Sequence, residues 1–570
     1  MCGVAGIYSP SKPVDGNELD LLTDSLAHRG PDGRGTYIDQ NLGLGHRRLA
    51  ILDLSERGRC PMEYLAPDGR KFVITYNGEV YNFLEIRRSL EKLGHSFVSD
   101  TDTEVVVAAY SQWGIKALNI FNGMWAFAIW DPQSRELFIS RDRFGIKPLY
   151  YYASSRFVFA SEIKAFLSLS SFTPAVDEQA AMEALRSPGA YEGRTEATLL
   201  KGVRRLPPGC YMKVNSSGQC IGGRWWDTSA NLPPLASSYQ RQVSDFRDLF
   251  LDAVQVRLRS DVPVGTCLSG GIDSSAVASI IAYLQNNRGH LERSQKDWQN
   301  TFIATFPNTE IDERRFADVV VRHIGATPHY WEFQPEQAHE YLLPTVWSME
   351  EVYNGIAIPT WCLYRSLREK NVVVTLDGHG ADELLAGYPW TLDWTMPEMN
   401  EKLSADFHFN ILPAILRNFD RCSMAHGIEI RMPFLDWRVV TYCFALEASA
   451  KIGAGYTKRI LRDAMKDIMP EEIRTRRQKI GFNTPMITWF NGEMSPLIEK
   501  IVGHRAWIES PFFHGPTEAA KILEKTRSKA WKLSDWNFAL QSWTKMNLVL
   551  WQMLFVDREM SPNQLGSELH

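Results

Sequence analysis

Leu268-Ser269-Gly270-Gly271-Ile272-Asp273-Ser274-Ser275, in the middle of the chain, decides how the rest is read. The apolar residues 262–267 before it read as a buried strand, and residues 276–284 after it as a helix. A glycine-rich loop between the two is a phosphate cradle. Two glycines let backbone N–H groups close on an anion, the serines add hydroxyl donors, and the helix directs its positive end to the same point. Asp273 in such a place is repelled unless a cation joins it, so a carboxylate beside phosphates implies Mg²⁺. An ordinary strand–turn–helix corner needs one glycine and no carboxylate. The segment also lacks the lysine of the Gly-x-x-x-x-Gly-Lys-Ser/Thr nucleotide loop.

Outward from this loop the pattern repeats. Residues 239–258 and 314–324 have helical periodicity, and residues 301–306 form a second apolar strand that contains Ala304. Residues 372–376 form a third, ending in Asp377-Gly378-His379-Gly380-Ala381-Asp382-Glu383. Strands alternating with helices, with polar loops at their C-terminal ends, imply a doubly wound parallel sheet that binds ligands at those ends. Asp382 then faces Asp273 across the phosphates as the second metal carboxylate. The polar residues 285–299 read as a mobile surface loop, and 561–570 as a frayed tail.

The Ser-Gly-Gly-x-Asp-Ser pattern resembles the pyrophosphate loop of enzymes that split ATP into AMP and pyrophosphate to adenylate a substrate. Over roughly residues 240–490 the chain resembles the synthetase domain of the asparagine synthetase B family. Asp420-Arg421-Cys422-Ser423-Met424-Ala425, Glu429-Ile430-Arg431-Met432-Pro433-Phe434, Lys458-Arg459-Ile460-Leu461-Arg462 and Arg477-Gln478-Lys479 carry that likeness. The resemblance implies an ATP site at Leu268, Ser269, Gly270, Gly271, Asp273, Ser274, Ser275, Ala304, Asp377 and Gly378. It also implies that Lys479 neutralises charge on phosphate and the reacting acyl centre. Two departures stand out. His379 occupies the position of a family glutamate thought to act as base in amide formation, and the family's Thr-x-x-Arg contact for aspartate falls on Val352-Tyr353-Asn354-Gly355. Val352 and Gly355 can neither donate a side-chain hydrogen bond nor carry positive charge, which predicts a roomier, apolar acceptor pocket unsuited to aspartate.

The chain begins Met1-Cys2-Gly3-Val4-Ala5-Gly6-Ile7. Removing Met1 frees the α-amine of Cys2, whose ordinary pKa of about 7.7–8.0 lets it serve as base for its own thiol. Downstream lie His28-Arg29-Gly30-Pro31-Asp32-Gly33, Gly45-His46-Arg47-Arg48-Leu49, Tyr76-Asn77-Gly78-Glu79-Val80-Tyr81-Asn82 and Asp100-Thr101-Asp102-Thr103-Glu104. These motifs resemble the class II glutamine amidotransferase domain, an N-terminal-nucleophile hydrolase with an αββα sandwich. The resemblance makes Cys2 the nucleophile and gives the α-carboxylate of glutamine to Arg48, whose planar fork suits it. Glu79 and Asp102 take the ammonium, and Asn77 with the Gly78 N–H forms the oxyanion hole.

Composition sets the frame. With 570 residues, two or more domains are expected: 1–215, a Pro/Ser/Ala-rich linker at 228–238, and 239–555. A hydrophobic fraction of 44% and a net charge of −5 fit a globular enzyme and argue against nucleic acid or an anionic membrane as partner. The absence of an apolar run of membrane-span length and of a leader pattern suggests the cytoplasm. Eight scattered cysteines fit reduced thiols. The expected enzyme hydrolyses glutamine, adenylates an acceptor carboxylic acid with Mg·ATP and forms an amide, with a homodimer as the candidate assembly. The alternatives are a true asparagine synthetase, a catalytically silent paralogue with a binding role, and a ring-closing synthetase, which would have no use for an active Cys2.

Overall fold

The computed structural model describes residues 1–287, 292–295, 298–307, 309–353, 355–480 and 484–563. Two six-stranded antiparallel sheets form the N-terminal half. One runs in the order Val203–Arg205, Tyr150–Ala153, Phe157–Ala160, Gly3–Tyr8, Leu42–Arg48, Gly33–Asp39. The other runs Cys220–Arg224, Cys210–Val214, Glu136–Arg141, Gly123–Asp131, Lys71–Val80, Met62–Leu65. Strand alternation explains their stacking. From Gly123–Asp131, Ala126, Ala128 and Trp130 join Val4, Leu42 and Val73 in the layer between the sheets. Trp125, Phe127 and Ile129 point the other way, into the core shared with the helices Phe83–Glu91 and Asp102–Trp113. The helix Gly16–Asp24 covers the first sheet, completing an αββα sandwich. The second sheet runs on to Arg224, so the sandwich extends past residue 215.

A five-stranded parallel sheet carries the C-terminal half, in the order Thr327–Glu332, Asn300–Thr305, Val264–Cys267, Val374–Leu376, Glu429–Arg431. The chain winds outward from Val264–Cys267 in one direction, then returns to its other side. The order therefore reverses at that strand and Val374–Leu376, and a crevice opens at their C-terminal ends. Both loops singled out above leave from there. The helix after the glycines runs Ile272–Asn287, reaching into residues expected to be loop. Within 285–299, Arg293 is also ion-paired with Asp261, while 288–291, 296 and 297 lie outside the described residues. The tail expectation likewise falls largely outside them, since 564–570 are not described. Tryptophan-bearing helices, including Trp536–Phe555, brace the crevice: the indoles of Trp543 and Trp551 donate to the carbonyls of Gly355 (2.9 Å) and Glu350 (2.7 Å).

Candidate active sites

Cys2 sits at the start of the strand Gly3–Tyr8, and Asn77 and Gly78 on Lys71–Val80 of the facing sheet. The backbone N–H of Cys2 donates to Asn77 Oδ1 at 2.9 Å. The other end of that amide, Nδ2, is buried and has no partner among the described residues, although Asn77 is fully enclosed. A buried donor left unpaired costs on the order of 1–3 kcal/mol, so the fold holds a donor ready for an acceptor beside the thiol. Gly78 is obligatory for a different reason: a Cβ there would lie 2.2 Å from the carbonyl oxygen of Met124.

Cys2, Arg48, Gly78, Glu79 and Asp102 line one cavity, with Met1 also in its wall. Burial pushes the Cys2 thiol up, against the opposing pull of the chain's α-ammonium and Arg48, so the resting group is a thiol that needs a base. Met1 is itself almost fully buried and its ammonium pairs with Glu429 at 3.1 Å; removing it opens space next to the thiol. Arg48 donates to the carbonyls of Asp53 and Ser55, which aim its fork at the cavity wall. Asp102 accepts from Tyr76 Oη (2.7 Å) and the Val80 N–H (2.8 Å), yet burial still raises it to about 6. Glu79 is pushed well above the usual carboxylate range by burial and by the charges of Asp102 and Glu429. Two buried carboxylates with raised affinity for protons form a site that a ligand ammonium would satisfy.

The second constellation fills the crevice of the parallel sheet. Gly270 has φ +78°, and a Cβ on it would lie 2.5 Å from the Ala317 nitrogen of the helix Arg314–Ile324. The hydroxyls of Ser269 and Ser274 are 3.1 Å apart, Gly271 N–H donates to Ser269 Oγ, and Asp273 lies in the first turn of the helix. Gly378 permits the two loops to touch, because a Cβ would come within 2.7 Å of Ser274 N. Leu268 is packed into the core and donates its N–H to Phe302 O (2.9 Å), which keeps the loop at the mouth of the crevice; Ser275 is buried and Ala304 half-buried. Asp273 and Asp382 share one ammonium: Lys458 Nζ is 2.6 Å from an oxygen of each. Lys479 Nζ binds the other oxygen of Asp382 at 2.7 Å and stands 3.7 Å from Asp273. The two lysines hold Asp382 well below the usual carboxylate range. Two hard oxygen ligands able to grip one cation suit Mg²⁺ in the company of phosphates.

Several side chains sit differently from the sequence expectation. Asp377 is 2% exposed, and its carboxylate is taken up by the Cys267 N–H (3.2 Å) and Tyr364 Oη (2.9 Å), so it ties the two loops together rather than facing a ligand. Val352 does not open a roomy pocket: it is 2% exposed, packed in the core, with its carbonyl held by Arg417 (2.8 Å). Gly355 is half-buried, and a Cβ on it would meet the Tyr353 ring at 2.8 Å. His379 lies against Phe419, ring centroids 3.7 Å apart, and its buried Nε2 has no hydrogen-bond partner among the described residues. Lys458, Glu429 and Arg431 occupy central positions for which the sequence offered motifs but no role. A lysine far along the chain gives no local signal that it will stand between two aspartates.

Comparison with known proteins agrees with this architecture. Residues 1–226 match the family model of the glutamine amidotransferase domain, and residues 245–402 and 392–552 that of asparagine synthase. Asparagine synthetase [glutamine-hydrolyzing] 3 of Bacillus subtilis is 31% identical over 545 residues, covering 84% of this chain and 86% of the relative. Asparagine synthetase [glutamine-hydrolyzing] 1 of the same organism is 27% identical over 657 residues, covering 100% and 99%. Amidase chry2 of Gibberella zeae is 29% identical over 592 residues, covering 93% and 85%. With an αββα sandwich bearing Cys2 at its N-terminus and a parallel sheet bearing the Ser-Gly-Gly-x-Asp-Ser loop, the chain belongs to the glutamine-hydrolysing asparagine synthetase family of ATP-dependent ligases.

Proposed function

We propose that the chain amidates a carboxylic acid other than aspartate, using ammonia from glutamine and activation by ATP. Once Met1 is removed, the α-amine of Cys2 takes the thiol proton and Sγ attacks the side-chain amide of glutamine. Asn77 Nδ2 and the Gly78 N–H receive the developing oxyanion, Arg48 holds the α-carboxylate, and Glu79 with Asp102 hold the ammonium. Ammonia leaves, and water releases glutamate from Cys2. In the crevice the acceptor carboxylate attacks the α-phosphorus of ATP, pyrophosphate departs, and ammonia displaces AMP from the acyl-adenylate. Asp273 and Asp382 would hold Mg²⁺, which supplies charge neutralisation on the departing pyrophosphate. Lys479 stabilises the same developing charge, and His379, whose Nε2 has no hydrogen-bond partner among the described residues and stands 3.7 Å from the Asp377 carboxylate, takes a proton from the attacking amine. Ammonia in water is mostly ammonium near neutral pH, so the seam between the halves must shield its passage.

The observation that carries the acceptor reading is that the positions of the family's Thr-x-x-Arg contact hold Val352 and Gly355, with no donor and no positive charge for the α-carboxylate of aspartate, and that Val352 is packed into the core, so no side chain there meets the acceptor. A site that leaves such a charge unpaired discriminates against the substrate strongly. The likeness to an amidase as well as to asparagine synthetases is compatible with this view. The names of the bacterial relatives favour a second reading, aspartate to asparagine, with other residues binding the acceptor. An ATP/pyrophosphate exchange screen over carboxylic acids, aspartate included, separates the two. Exchange with another acid and little with aspartate is expected; efficient conversion of aspartate to asparagine overturns the acceptor assignment. No helix among the described residues is long and apolar enough to cross a membrane. A cytoplasmic enzyme, with a homodimer as candidate assembly, is part of the same proposal.

A further inference from the structure

We infer that Arg431, a residue of the synthetase half, is a positioning residue of the glutaminase: it keeps Glu79 able to hold the ammonium of glutamine and links that capacity to the nucleotide loop. The inference rests on the reading of Glu79 as an ammonium-binding group.

Arg431 ends the edge strand Glu429–Arg431 and is fully buried. Its Nε donates to Glu429 (2.6 Å), and one terminal nitrogen donates to the carbonyls of Arg257 (2.8 Å) and Arg259 (2.5 Å). The other terminal nitrogen stands 3.4 Å from Glu79 Oε1 and has no hydrogen-bond partner among the described residues. Among the same residues, Arg431 is the side-chain cation within ion-pair distance of Glu79. The groups around Glu79 otherwise push against its charge. Asp102 and Glu429 repel it, while the Met1 ammonium, paired with Glu429, attracts it; the hydroxyls of Tyr76 and Tyr81, the Arg293 guanidinium and, in the same cavity, Cys2, His46 and Arg48 are the other titratable groups around it. If Met1 is excised, the ammonium paired with Glu429 is lost from that place, and the Arg431 guanidinium stays at ion-pair distance from Glu79 and hydrogen-bonded to Glu429. Without it, Glu79, already held above the usual carboxylate range by burial and by Asp102 and Glu429, would hold its proton more tightly still, and the ammonium of glutamine would meet a weaker partner.

The backbone of the same residue reaches the other site. Arg431 O accepts from the Asp377 N–H at 2.9 Å, and the Asp377 carboxylate accepts from Cys267 N–H, the residue that leads into the Leu268–Ser275 loop. Three contacts thus connect the phosphate cradle to the glutamine pocket through closely packed strands and loops. A displacement of the cradle by bound nucleotide would be passed along them to Arg431 and would alter its approach to Glu79.

The test uses the full chain, with Arg431→Met, Arg431→Lys and Glu79→Gln, measuring glutaminase kcat and KM from pH 6 to 9 with and without ATP, and amide formation from ammonium salts. Loss of the guanidinium at ion-pair distance from Glu79 predicts a rise of roughly tenfold or more in glutamine KM for Arg431→Met, with a smaller change in kcat. That KM should improve with rising pH as Glu79 ionises, Arg431→Lys should recover part of it, and ammonium-dependent synthesis should persist. In the wild-type chain ATP is expected to lower glutamine KM, and in Arg431→Met this response should vanish. An unchanged KM in Arg431→Met and Arg431→Lys, with a raised KM in Glu79→Gln, overturns the role of Arg431 alone. An unchanged KM in Glu79→Gln overturns the reading of Glu79 on which it rests. A wild-type KM indifferent to ATP overturns the link to the nucleotide loop. If Arg431→Met fails to fold, the pH profile of Arg431→Lys decides: a KM profile identical to wild type sinks the proposal.

Discussion

Asn77 concentrates the glutaminase chemistry in one side chain: one end of its amide fixes the backbone of the nucleophile, and the other is a buried donor without a partner among the described residues. Asn77→Ala should therefore lower glutaminase kcat by about 10²–10³, the range for loss of one oxyanion donor, while ammonium-dependent synthesis survives. A glutaminase rate within a few fold of wild type would remove Asn77 from the oxyanion hole. The ammonium pair makes a pH prediction. Asp102 is raised to about 6 from an ordinary 3.8, so before glutamine binds it is protonated below about pH 6, and its ionisation costs stability as pH rises above the ordinary value. A ligand ammonium draws it back down. Glutamine binding should then expel protons near pH 6 and weaken as pH falls through that value, which calorimetry in buffers of different ionisation enthalpy would detect. Binding without proton exchange near pH 6 contradicts the assignment. At this scale the sequence singles out residues where a motif brings its own chemistry, as with Cys2, Asn77 and Asp273, and the structure places the first two in hydrogen-bond contact. The sequence was silent where function depends on distant partners, as with Lys458 between two aspartates and Glu429 beside the N-terminus.

The loops at the C-terminal ends of Val264–Cys267 and Val374–Leu376 act as one element, because Gly378 lets its backbone approach that of Asp273 and Ser274, while Gly270 lets the first loop approach the helix Arg314–Ile324. Gly270→Ala must adopt a strained positive φ and displace the helix Arg314–Ile324, at a cost on the order of 1–3 kcal/mol. Its expected phenotype is lost ATP/pyrophosphate exchange with glutaminase retained; normal exchange would show that the cradle tolerates a Cβ. Three of the parallel strands were readable from their apolar runs and polar ends. Thr327–Glu332 and the three-residue Glu429–Arg431 were not, since they are recognisable only by their pairing with Asn300–Thr305 and Val374–Leu376. The acceptor segment shows the same limit. Side-chain chemistry at Val352 and Gly355 could be read, but not that Val352 would turn into the core while tryptophans of a distant helix braced the backbone around it.

Across the whole molecule, an ion pair and charge-assisted hydrogen bonds stitch the halves together. Arg29, which also donates to the carbonyl of Cys2 (3.1 Å), pairs with Asp420 at 2.9 Å, and Asn122 donates to Asp436 at 2.8 Å. These contacts join residues hundreds of positions apart, so no local pattern announces them, although the division into two catalytic halves was plain from the order of the motifs. The two carboxylates of the second site extend the argument. Asp273→Asn and Asp382→Asn should each abolish pyrophosphate formation while sparing glutamine hydrolysis, because each removes one ligand from a shared cation site in the other half. Pyrophosphate formed by either variant at a rate near wild type would contradict the metal assignment. The most direct measurement of the two-site account is amide formation by Cys2→Ala, once with glutamine and once with ammonium salts as nitrogen source. The account predicts no product from glutamine and undiminished synthesis from ammonium; loss of both activities, or synthesis from glutamine, would contradict it.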